Sequence, residues 1–152
     1  MTRNRASARD AGARLERATA DHLARHVAPG IDRRVRNGAL DRGDVGGVFT
    51  AHGARVVIEC KDVRATALGS WVREAETERV NDGAVAGVVV HKRTGVGYTR
   101  PGEQYVTMTL DDLVALLTGT RPPAGETITE RAQDGPDLLD VIAQDGAGQG
   151  SA

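Results

Sequence analysis

The stretch Arg55-Val56-Val57-Ile58-Glu59-Cys60-Lys61 decides how the chain folds. Three β-branched residues in a row lead straight into two charges. Side chains alternate faces along a strand, so Val56, Ile58 and Cys60 share an apolar face fit for a core. Val57, Glu59 and Lys61 share the other, which sets a carboxylate beside an ammonium at the strand end. Charges at the rim of a core are costly unless they are paired or used. One explanation is a plain ion pair, which is common and contributes little. The other is a metal ligand next to a lysine that acts on water or phosphate.

Outward from this strand the order of elements is legible. Residues 7–27 carry an apolar stripe (Ala11, Leu15, Ala18, Leu23, Val27) at helical steps, with Ser7 available as N-cap and Pro29-Gly30 as a stop. Residues 1–6 hold Arg3 and Arg5 and suggest a basic arm. A short basic edge strand is expected over 31–36, and a glycine-weakened strand over 45–49, opened by Asp44 and turned at His52-Gly53 into the central strand. Ser70 is the expected N-cap of a helix over 71–81. There Trp71, Ala75 and Glu78 share a side, and Glu74, Glu76 and Glu78 mix with Arg73 and Arg79 on a charged surface. The apolar run over 84–90 predicts a buried strand ending at His91-Lys92-Arg93. A strand over 103–110 and a short helix over 113–117, introduced by Asp111-Asp112, follow. The fold class is therefore α/β, with a mixed central β-sheet flanked by helices. Residues 1–121 form the domain, and residues 122–152 read as an acidic tail, disordered or a partner-binding extension, apart from a turn of helix near Leu138–Ile142.

Composition narrows the function. The net charge is −1, but residues 1–64 carry 13 Arg and Lys against 8 Asp and Glu, while residues 122–152 carry 1 against 6. A basic front half suits a polyanionic partner. Aromatic residues make up 3% of the chain, too few for a base-stacking platform. The single cysteine, Cys60, excludes an internal disulfide and a cysteine-rich zinc site. No apolar run approaches a membrane span, so a cytoplasmic protein is expected. His22, His26, His52 and His91 lack a metal-binding spacing.

The chemistry concentrates in four residues: Glu16 on the first helix, Asp44 opening a strand, and Glu59 and Lys61 ending the next. Neighbouring hairpin positions would let the Asp44 and Glu59 carboxylates share a divalent cation, with the Cys60 backbone carbonyl as a further ligand. Hard oxygen donors of this kind suit Mg²⁺ or Mn²⁺. Such an ion lowers the pKa of a bound water, which Lys61 would orient or deprotonate.

The ordered set resembles the PD-(D/E)xK nuclease superfamily, with Asp44 as first acid and Glu59-Cys60-Lys61 as the E-x-K half. Gly12-Ala13-Arg14-Leu15-Glu16 resembles the G-x-x-x-E element of archaeal-type Holliday junction resolvases, and residues 3–121 as a whole are similar to small phage-encoded members. The resemblance implies a restriction-endonuclease-like core and a Mg²⁺- or Mn²⁺-dependent homodimer that cuts branched double-stranded DNA, in the host cytoplasm if phage-encoded. Two features depart from the pattern: Gly43-Asp44 replaces Pro-Asp, and Asp41 competes as ligand. Either Glu74 or Glu76 would fill the helical position that follows the motif lysine. Arg33, Arg34, Arg36 and Arg42 form either a solvated edge or a phosphate-contact ridge, with Lys92 as a further phosphate contact. Other readings are a nuclease of different specificity (restriction-like, flap or mismatch) and a non-catalytic DNA-binding module.

Overall fold

The two apolar runs of the sequence become adjacent, parallel strands. The computed structural model describes residues 5–35 and 41–125, and the fold is that of the unit Met1–Pro122. Helix α1 (Arg5–His26) leads into strands β1 (Asp32–Arg33), β2 (Val45–Gly46) and β3 (Val56–Lys61). Helix α2 (Leu68–Asn81), strand β4 (Ala86–His91), a 3₁₀ turn (Pro101–Glu103), strand β5 (Tyr105–Thr107) and helix α3 (Leu110–Thr118) follow. The five strands form one mixed sheet in the order β1-β2-β3-β4-β5. β3 and β4 pair in parallel from Val56 opposite Ala86 to Lys61 opposite His91, and the other pairs are antiparallel. A parallel pair requires a crossover, which α2 supplies.

Both faces of the parallel pair are covered, which is why its sequences are nearly continuous apolar runs. On one face Val56, Ile58, Cys60, Ala86, Val88 and Val90 pack with Leu15 and Ala20 of α1 and Ala115 of α3. On the other, Val89 packs with Trp71 and Ala75 of α2, and Val57 is fully buried. Gly87 lets α2 lie close: a Cβ there would stand 2.7 Å from the Ala75 carbonyl oxygen. The chain is thus α/β, with helices on both faces of the sheet.

The element order agrees with the sequence reading, while several boundaries move. Arg5 and Ala6 begin α1, so they are helix rather than arm, and Ser7 lies inside the helix instead of capping it. Ser70 is likewise internal to α2, which starts at Leu68 after Ala67; its hydroxyl donates back to the Ala67 carbonyl at 2.9 Å. The strand expected over 45–49 stops at Gly46. Gly47 turns away at φ +78°, leaving an isolated bridge between Phe49 and Arg55. At the other end, the 3₁₀ turn and a capping box between Thr109 and Asp112 confine β5 to three residues and start α3 earlier. Residues 1–4, Arg36 and the stretch around Leu138 to Ile142 lie outside the described residues. Among the described residues, no helix is long and apolar enough to cross a membrane.

Candidate active site

The hairpin register brings two acids together. Val45 pairs with Ile58 in antiparallel fashion, so Asp44, one residue back, stands across from Glu59, one residue on. The Asp44 N–H donates to the Ile58 carbonyl at 2.8 Å, and its Oδ2 accepts the Cys60 N–H at 2.9 Å. Both acids are buried, at 6% and 5% exposure. The preceding Gly43 has φ +83°, and a Cβ there would meet the Ile58 carbonyl oxygen at 2.9 Å. Proline, locked near −65°, cannot take this conformation. Asp41 is exposed, and its Oδ1 accepts the Gly43 N–H at 3.3 Å, a turn-forming role.

Lys61 sits between two carboxylates, its Nζ 2.7 Å from Glu59 Oε1 and 2.5 Å from Glu74 Oε2. Burial pulls its pKa down, but the hydrogen bonds to Glu59 and Glu74 outweigh that and hold it above the ordinary lysine value. Lys61 is therefore a fixed cation. It suits orienting water and offsetting negative charge better than removing a proton. Burial, and then the Asp44 charge, push Glu59 up to about 9 against the pull of Lys61.

A fifth residue completes the group. Glu78 of α2 is 5% exposed, shares a hydrogen bond with Glu59, and is pushed up to about 7 by burial and then by Asp41. Its Oε2 is buried with no hydrogen-bond partner among the described residues. Its signal was its place on the Trp71 and Ala75 side of α2, obscured by the charges beside it. Of the two glutamates weighed for this helix, Glu74 reaches Lys61. Glu76 turns away to Arg79 and Arg121, with a distance of 2.7 Å to the former.

Glu16 reaches the same place from α1. Between α1 and the end of β3 lies a cleft of about 970 Å³ that Glu16, Glu59, Cys60 and Lys61 all line; Asp44 is not among its lining residues. Glu16 is gripped by the Arg33 guanidinium, whose Nε donates at 3.0 Å. The Cys60 thiol faces the core, where burial pushes its pKa well above the ordinary range. Its backbone carbonyl shares the strand edge of its N–H, the edge beside Asp44.

The basic residues are more occupied than their number suggests. Arg34 pairs with Asp82 at 2.6 Å and donates to the Arg42 carbonyl at 2.8 Å. Lys92 folds onto its own loop, donating to the Arg93 and Val96 carbonyls and lying 5.5 Å from the Tyr98 ring centre. Arg42 is exposed.

Among the described residues, no group of three or more His, Cys, Asp or Glu side chains is arranged to hold a metal ion. Two carboxylates do face one another, however, and Mg²⁺ typically uses one or two with water and phosphate oxygens completing its shell. Burial and the Asp44 charge disfavour the ionised form of Glu59, and Glu78 Oε2 has no partner among the described residues, so acids are crowded here beside one lysine, an arrangement whose oxygen donors suit a hard cation. No family model, curated protein or solved structure matches the chain.

Proposed function

We propose that the protein is a divalent-metal-dependent, structure-selective DNA endonuclease with a restriction-endonuclease-like core, of the Holliday junction resolvase type. The observation that carries this reading is Asp44 across from Glu59, with Lys61 two residues on along the same strand face. Asp44, Glu59 and the Cys60 carbonyl would hold Mg²⁺ or Mn²⁺. When bound, the ion polarises a phosphodiester and makes a water acidic enough to attack it.

The protein's own groups then have distinct tasks. Glu74 keeps Lys61 extended toward the cleft as a cation, where it positions water and offsets charge developing on the phosphate. Glu16 orders water on the α1 side while its bond to Arg33 fixes its direction. Arg36 and Arg42 would contribute positive field for the DNA backbone, whereas Arg33, Arg34 and Lys92, also expected there, are engaged by Glu16, Asp82 and the Lys92 loop carbonyls. Branched DNA presents two strands related by a two-fold axis, so a homodimer would set one site on each. A cytoplasmic location, the host's if the protein is phage-encoded, goes with this reading.

The test is cleavage of a labelled four-way junction, with flap, nicked and linear duplexes alongside. Mg²⁺-dependent junction cutting is expected. Glu59→Gln and Lys61→Ala should each lower it by about 100-fold or more while junction binding persists. Metal-dependent cleavage that survives in purified Glu59→Gln would remove the site assignment.

A further inference from the structure

A glycine inside a helix weakens it relative to alanine, because glycine loses more backbone freedom on folding. Close packing is a common reason to retain one, as at Gly87 against α2. Gly12 has no such reason. It lies well inside α1, its φ is not positive, and the nearest atom to a Cβ built there is Glu16 Oε1 at 3.8 Å, an ordinary contact.

What Gly12 does face is the cleft that holds Glu59 and Lys61. Arg9, three residues earlier on the same helix, lines that cleft too and is exposed. The cleft's other arginines are neutralised: Arg17 by Asp32 at 2.7 Å, Arg33 by Glu16, and Arg34 by Asp82 at 2.6 Å. Among the described residues Arg9 makes no ion pair, so its charge remains available to a ligand.

We propose that the bare helix surface at Gly12 is where the sugar-phosphate backbone of the bound strand lies against α1, with Arg9 contacting one of its phosphates. The inference rests on the nuclease reading and adds the path of the strand. A side chain at position 12 would project into the cleft and hold the backbone away from Glu59 and Lys61. A phosphate at Arg9 gains a charge-assisted hydrogen bond that no internal carboxylate competes for. The contact reads the backbone and not the bases, as structure-selective binding requires.

Stability and binding should move in opposite directions. Gly12→Ala should raise Tm by about 2–4 °C, because alanine is the better helix former, yet weaken binding to a fluorescent four-way junction with Ca²⁺ replacing Mg²⁺. Gly12→Leu should bind about tenfold or more weakly at a Tm no lower than that of the parent protein. Arg9→Ala should lower the slope of log Kd against log salt by about one. Gly12→Leu binding and cutting the junction like the parent would overturn the inference and leave the nuclease reading standing. If Gly12→Leu does not fold, unchanged affinity in Gly12→Ala together with an unchanged salt slope in Arg9→Ala overturns it equally. A parent protein that neither binds nor cuts any DNA removes the nuclease reading itself, and this inference with it.

Discussion

Glu59 and Glu78 bury two acids within reach of Asp44 and Asp41, with Lys61 as counter-charge to Glu59. Both pKa values are raised, to about 7 for Glu78 and about 9 for Glu59. A raised acid contributes stability below its ordinary pKa and loses it as the pH climbs through the folded value. In chelator, the melting temperature should therefore fall between pH 6 and pH 9. Adding Mn²⁺ should restore more of it at pH 8.5 than at pH 6, since the ion replaces protons. Glu78→Gln should flatten the lower part of this decline and stabilise the protein by about 1–3 kcal/mol at pH 8. Thermal melts across pH, with and without Mn²⁺, check all three outcomes; a metal-free melting temperature that rises over this range refutes the raised pKa of the buried acids.

At the scale of elements, the turn into β2 is the tightest constraint. Gly43→Ala places a Cβ against the Ile58 carbonyl oxygen in a conformation that side chains avoid, and should cost at least about 2 kcal/mol in chemical denaturation. The same substitution should also shift Asp44 and weaken cleavage. The apolar runs made β3 and β4 legible, because buried parallel strands have few other readings. Their helices were legible from periodicity. Termini were not: Ser7 and Ser70 are good capping residues that the helices run past, and Thr109 caps α3 through Asp112 instead. A serine favours a cap without compelling one, and packing of the adjacent turn decides.

Across the molecule, charge is arranged in local pairs. Arg34 and Arg55 both reach Asp82 at the end of α2, whose side chain is 2% exposed, tying the β1 edge to the far side of the sheet. Among the described residues, Arg34→Ala would leave that carboxylate with only the longer 3.3 Å contact to Arg55. It should destabilise the protein by about 2–3 kcal/mol, measured by denaturant titration, before any effect on DNA. A surface arginine contributing only long-range field would show no such loss. This is where sequence reasoning stops. Clustering of Arg33, Arg34 and Arg42 is visible in the chain, but which carboxylate each one meets depends on the folded sheet. The convergence of Asp44, Glu59 and Lys61 was legible because hairpin register follows from alternation. The partners Glu74 and Glu78 lay one helix away, and no spacing rule chooses among three alternating glutamates. The β2–β3 hairpin is local in sequence, whereas β3 and β4 meet only after α2 has crossed over. Contacts between near neighbours close with less entropy than distant ones. Asp44 and Glu59 should accordingly meet early in folding, while Glu74 and Glu78 arrive with α2. The burial that raises Glu59 comes only when α2 covers the hairpin, so the loss of stability from pH 6 to 9 should appear in the unfolding rate more than in the refolding rate, as stopped-flow measurements in chelator would check.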